Sequence, residues 1–138
     1  AIQCLNHTSY LSLQYLHFIR VIILVGVGLA NWRDSALNIN VFLYKLDLSM
    51  NKLCSLSSKS FELYPGLANL NLRNNQIYLL SYNVFGGLKY LRILDVSHNY
   101  IGRLTLDIFI PLGQVEVLYL QWSEIQIIDS NVFASMGS

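Results

Sequence analysis

Charge is scarce in this chain. Of 138 residues only 12% are charged, nine basic against eight acidic, so no basic field draws it toward nucleic acid. Cysteine is scarce too, with Cys4 and Cys54 the two present. The histidines His7, His17 and His98 share no metal-site spacing with them. Gly26 and Gly28 flank one residue and lack the further glycine of a dinucleotide fingerprint, and no nucleophile stands at motif distance from a base. An enzyme is therefore not expected, nor a cofactor or a metal. The apolar run over residues 21–30, between Arg20 and Asn31, is too short to span a bilayer. As a signal-peptide core it would need a small-residue cleavage site, and none is clear before Trp32-Arg33-Asp34.

What the chain does have is a leucine-type residue at one constant interval: Ile22, Leu46, Leu70, Leu94 and Leu118. A fixed period of that length predicts a stacked-repeat solenoid. The frame is clearest in Leu43-Tyr44-Lys45-Leu46-Asp47-Leu48-Ser49-Met50-Asn51-Lys52-Leu53 and its next copy, Leu67 to Ile77. Period-2 pairs (Leu46 and Leu48, Leu70 and Leu72, Leu94 and Val96, Leu118 and Leu120) read as short strands with one face buried. Shortly after each pair comes Asn51, Asn75 or Asn99, and a Phe column at Phe61, Phe85, Phe109 and Phe133 closes each turn.

This pattern resembles the leucine-rich repeat, L-x-x-L-x-L-x-x-N-x-L, in the 24-residue form typical of extracellular members. The resemblance implies an α/β-type solenoid, with a parallel β-sheet on the concave face and irregular or short helical turns on the convex face. Five repeats are expected over 19–138, starting near 19, 43, 67, 91 and 115, with residues 1–18 a partial N-terminal repeat or cap remnant. Counting back places Leu5, Leu13 and Leu16 on core columns of that segment. The run at 21–30 sits in repeat phase and reads as a buried strand; both its faces are apolar, which leaves a partner-covered or membrane-associated role open.

One repeat cannot bury its own apolar face, so successive turns must stack and the leucines fill the space between them. Asn51, Asn75 and Asn99 form a structural ladder, each amide donating to and accepting from backbone groups of the adjacent turn. The pattern breaks at Val27 and Ser123 in the Asn column and at Leu37 in the Phe column, and Trp32 stands where Leu is usual. Valine cannot replace the amide and serine does so in part, so those turns are expected to be looser.

Hydrophobic residues make up 54% of the chain, high for a free-standing soluble protein. The family's ectodomains carry cysteine-rich caps, and none is seen here, the C-terminal one included. A piece of a longer receptor-like ectodomain is the expectation, with Gly137-Ser138 either native or added. Asn6-His7-Thr8 is a glycosylation acceptor at Asn6, meaningful in a secreted or surface protein. Cys4 and Cys54, two turns apart in a regular coil, would lie about 9–10 Å apart, beyond disulfide reach. Cys54 is then a free residue near the core and Cys4 part of a cap remnant, unless residues 1–18 fold back. An extracellular or cell-surface location is expected.

Strand alternation sends the residues between the core leucines to the concave face. One column reads Ile23, Asp47, Asn71, Asp95, Tyr119 and the next Val25, Ser49, Arg73, Ser97, Gln121. Gly26, Met50, Asn74, His98 and Trp122 flank them on one side, and Val21, Lys45, Asn69, Ile93 and Val117 on the other. Ligand-binding candidates are Lys45, Asp47, Arg73, Asp95, His98, Tyr119, Gln121 and Trp122. Asp47 and Asp95 have an alternative as ordinary family residues, offset by Arg73. Tyr119 and Trp122 are of the type enriched at binding hot spots, or are buried by a following repeat or cap.

The resemblance, which extends to Toll-like receptors, implies a ligand-recognition segment of an innate-immune receptor, binding a protein or microbial ligand and forming a receptor dimer. No nucleic acid is indicated by charge, and a membrane enters only through a segment outside this chain. Two alternatives stand. One is a hormone-receptor ectodomain of relaxin or glycoprotein-hormone type, loosely suggested by Ser123-Glu124-Ile125 and Phe133-Ala134-Ser135-Met136. The other is a matrix or adhesion scaffold without signalling. The register itself makes a prediction: Leu70→Asp or Leu94→Asp should abolish folding by circular dichroism while Lys45→Asp leaves it intact, and equal tolerance would refute the register.

Overall fold

The computed structural model describes residues 2–3, 19–32 and 42–137. Asn6, Cys4, His7, His17, Leu5, Leu13, Leu16 and Leu37 lie outside the described residues, and so do the expectations that rest on them. Strands β1 (Ile2–Gln3), β2 (Val21–Ile23), β3 (Lys45–Asp47), β5 (Asn69–Asn71), β7 (Ile93–Asp95) and β9 (Val117–Tyr119) make one parallel sheet, in that order. On the opposite side, β4 (Ser55–Leu56) pairs with β6 (Leu79–Leu80), and β8 (Arg103–Leu104) with β10 (Ile127–Ile128). The helix α1 (Leu106–Phe109) adds one turn beside them. The molecule is a parallel-sheet solenoid with little helix.

Register reproduces the sequence period. Ile22 pairs with Leu46, Leu46 with Leu70, Leu70 with Leu94 and Leu94 with Leu118, so each step across the sheet is one full repeat of the sequence. These strands form because their central residue is driven inward: Ile22, Leu46, Leu70 and Leu94 are all buried. At about 1.5–3 kcal/mol per buried aliphatic side chain, the leucine columns supply the main stabilisation of the stack. The apolar run at 21–30 contains β2, with Val21, Ile23 and Val25 half-buried and Leu24 in the core. Among the described residues no helix is long and apolar enough to cross a membrane. The first step departs from the period, for Ile2 pairs with Ile22, a shorter interval than any later one in the sheet. Counting back by whole repeats therefore does not carry past β2.

The asparagines join each coil to the one before it. Asn51 Nδ2 donates to the Leu24 and Leu48 carbonyls (2.7 and 2.9 Å), and its Oδ1 accepts from the Val27 and Leu29 amides, both at 3.1 Å. Asn75 bonds the Leu48 and Leu72 carbonyls and the Leu53 amide, and Asn99 the Leu72 and Val96 carbonyls and the Ile77 amide. Each asparagine thus secures the preceding turn. Val27 has no side-chain group to make these bonds itself, while its amide and that of Leu29 are taken by Asn51.

At the fifth copy, Ser123 Oγ donates to the Val96 carbonyl at 2.9 Å, one of the bonds an asparagine would make. The Ile101 amide, which an asparagine Oδ1 would accept, goes instead to the Ser123 backbone carbonyl at 2.9 Å. Substitution by a shorter side chain is absorbed by drawing the backbone in. No buried side-chain nitrogen or oxygen among the described residues lacks a partner.

Aromatic stacking forms a second spine. Phe61 and Phe85 lie 6.2 Å apart, Phe109 and Phe133 5.7 Å apart. The first copy does have its aromatic, supplied from a different column: Trp32 is buried, stacks on Phe61 at 6.0 Å and donates its indole N–H to the Ser60 carbonyl at 3.0 Å. Its larger ring reaches from the usual Leu position into the Phe spine. Phe133 is 41% exposed, unlike the fully buried Phe61, Phe85 and Phe109, since no further coil covers it among the described residues.

Asn75→Ala would strand the Leu53 amide inside the core and leave the Leu48 and Leu72 carbonyls with one donor each, from Asn51 and Asn99. At about 1–3 kcal/mol for the orphaned amide, the expected loss is roughly 2–3 kcal/mol in urea unfolding. A loss below about 1 kcal/mol would mean that water or backbone replaces the amide.

Candidate functional site

Residues immediately before each ladder position share an unusual backbone. Gly26, Met50, Asn74, His98 and Trp122 all have left-handed φ, from +53° to +65°. The asparagine must turn inward to reach the preceding coil, and a left-handed residue before it makes that bend. Glycine adopts this conformation freely, whereas a residue with a Cβ incurs about 1–2 kcal/mol of strain. Only the first copy uses glycine; the other four hold side chains outward. Met50 is 59% exposed although coils lie on both sides of it, so exposure belongs to the column.

The residue after the asparagine points outward as well, which sets Gln76, Tyr100 and Glu124 beside Asn74, His98 and Trp122. These six residues line an open groove of about 470 Å³ along one edge of the sheet, floored by the ladder asparagines. Within it His98 and Trp122 stack, ring centroids 6.2 Å apart and planes 29° from parallel. Trp122 is 77% exposed. Of the eight ligand-binding candidates, His98 and Trp122 fall here. Asn74, Gln76, Tyr100 and Glu124 were not among them, although their place on either side of the inward asparagine was the available signal.

The concave columns give a different result. Asp47 Oδ1 accepts from the Ser49 amide and hydroxyl at 3.0 and 2.7 Å, and its Oδ2 from Asn71 Nδ2 at 3.2 Å. Asp95 Oδ1 accepts from the Ser97 amide at 2.9 Å and from its hydroxyl, and Asn71 Oδ1 accepts from the Arg73 amide at 3.0 Å. Each is a short side chain holding the backbone two residues on. Ser49 and Ser97, expected on the open face, are buried, because these bonds fold them back onto their own strand ends. Arg73 is exposed and makes no ion pair among the described residues.

Tyr119 takes the aspartate's place in the fifth coil, where it cannot make that turn, and is 43% exposed. Gln121 is exposed beside it and Lys45 half-buried in β3, two coils and more from the aromatic cluster. The exposed and half-exposed charges of these columns, Lys45 and Arg73 against Asp47 and Asp95, balance. Cys54 is a free thiol, half-buried, with Sγ 3.4 Å from the Lys52 carbonyl. No cluster of three or more His, Cys, Asp or Glu able to hold a metal occurs among the described residues.

A coil of this register, with an inward asparagine ladder and an outward edge of exposed side chains, is a leucine-rich repeat structure. The leucine-rich repeat family model matches residues 42–101, and the chain belongs to that family. It is 39% identical to Tsukushi of Gallus gallus over 97 residues, 67% of this chain and 25% of that protein. It is 28% identical to Toll-like receptor 3 of Boselaphus tragocamelus over 137 residues, 96% of this chain and 15% of that protein. Among solved structures, the TLR13–ssRNA13 complex aligns with TM-score 0.56 and 17% identity, over 91% of this chain and 25% of that one. The chain therefore spans a quarter or less of each of these proteins, and the last likeness is one of fold.

Strain in the flank column is measurable. Met50→Gly removes about 1–2 kcal/mol of left-handed strain and adds about 0.5–1 kcal/mol of unfolded-chain entropy. A net rise of roughly 0.5 kcal/mol in urea unfolding is expected; a fall would show that Met50 is not strained.

Proposed function

We propose that this chain is a ligand-recognition segment of an extracellular or cell-surface leucine-rich repeat receptor of the Toll-like, innate-immune type. It binds a protein or microbial ligand at the edge formed by Tyr119, Gln121, His98 and Trp122, and receptor pairing transmits occupancy. The observation that carries this reading is Trp122, held outward in a strained backbone with most of its surface in solvent. A large aromatic so placed is what concentrates binding energy at protein surfaces, and nothing in the fold requires it there. Likeness to Toll-like receptor 3 over nearly the whole chain supports the same class. The concave columns hold their carboxylates in local turns, which leaves the aromatic edge as the adaptable surface.

The test compares proteins retained from extracellular fluid by the immobilised chain and by a Tyr119→Ala/Trp122→Ala variant shown by circular dichroism to be folded. Loss of one or more specifically retained proteins in the variant is expected. An unchanged set would remove both residues from the recognition surface.

A further inference from the structure

The edge groove has a chemical character that narrows what it can hold. Its walls combine flat ring faces (His98, Tyr100, Trp122) with planar amides (Asn74, Gln76), and its one acidic side chain is Glu124. The side chains of Asn74, Tyr100 and Trp122 make no hydrogen bond within the described residues, so their polar atoms remain available to a ligand. Gln76 contributes only its Oε1, to a long 3.8 Å contact with Cys54 Sγ, and keeps its amide nitrogen free.

We propose that this groove binds a neutral pyranose oligosaccharide, which rests on the recognition role proposed above and specifies its ligand. A pyranose presents one face of C–H bonds and a rim of hydroxyls. The C–H face carries slight positive charge and packs on the negative face of an aromatic ring, here the Trp122 indole. Each hydroxyl both donates and accepts, which matches the Asn74 and Gln76 amides, and a carboxylate such as Glu124 accepts from two adjacent hydroxyls.

Size and charge agree with that ligand. The volume of about 470 Å³ lies in the usual small-molecule range of about 300–1,000 Å³. Phosphate or sulfate would meet Glu124 with no lysine or arginine in the lining, which disfavours a nucleic acid or a sulfated glycan. The His98 ring lies beside the indole, ring centroids 6.2 Å apart, and narrows the range of positions the indole can take before binding. An open groove with few polar contacts sets the expected dissociation constant on the order of 1 mM.

Trp122 is its own reporter, the other tryptophan, Trp32, being buried in the aromatic spine. The intact chain would be titrated with maltotriose, mannotriose and triacetylchitotriose, following tryptophan emission and saturation-transfer NMR of the sugar. Parallel titrations would use a heparin tetrasaccharide and a single-stranded oligoribonucleotide. A saturable response to at least one neutral trisaccharide is expected, with Trp122→Ala abolishing saturation transfer and Asn74→Ala weakening binding about tenfold. Trp122→Phe should retain binding, separating the ring's role from general damage. The proposal is overturned if no neutral trisaccharide saturates, if Trp122→Ala binds as well as wild type, or if the oligoribonucleotide or heparin competes at the groove. If the sugars fail while protein capture still depends on Tyr119 and Trp122, the ligand class falls and the recognition role stands. If both fail, the edge is not a recognition surface.

Discussion

Beside the hydrogen bonds of the sheet, an asparagine amide ties each of three successive coils of this molecule to its predecessor. A chain that leaves a buried strand and turns has carbonyls and amides with nowhere to bond, and in a low-dielectric interior each orphan is expensive. Asn51, Asn75 and Asn99 resolve this with one planar group that donates to two carbonyls and accepts from one or two amides. Parallel register, leucine stacking and the aromatic spine all presuppose coils held at that spacing. Ser123 shows the constraint from the other side: with a shorter side chain, the backbone carbonyl moves in to take the bond the amide would have made.

The outward edge is a consequence of the same interaction. Turning the ladder position inward goes with left-handed backbone at the residue before it, whether that position holds Asn51, Asn75, Asn99, Val27 or Ser123, and throws the residues on both sides outward. The ladder therefore builds a row of paired, solvent-facing positions along one edge, and the sequence chooses what to mount there. In the first coil the mount is Gly26 and Gly28, which display nothing. In the last two it is His98, Tyr100, Trp122 and Glu124.

Much of the fold was legible because repetition converts a weak local signal into a strong one. Leu46, Leu70 and Leu94 each carry little information alone, yet their common interval predicts parallel pairing in register. Position-specific chemistry was less legible. Asp47 and Asp95 looked like candidates for an open face, whereas hydrogen bonds to Ser49 and Ser97 commit their carboxylates to local turns. Trp32 looked like an irregularity at a Leu position, and its reach into the Phe spine depends on ring size and on Phe61 lying one coil away. The shortened step between β1 and β2 was invisible, since periodicity cannot announce where it stops.

By itself the sequence determined the solenoid, its repeat register, the leucine core and the asparagine ladder. It could do so because one-dimensional stacking makes every contact a fixed offset along the chain. Only the tertiary structure decided which outward residues form a groove. Asn74, His98 and Trp122 recur once per repeat, as do Gln76, Tyr100 and Glu124, and neither series has a periodic apolar signature. They become one groove because stacking brings successive coils side by side and the left-handed turn before each ladder position aims their side chains at the same edge.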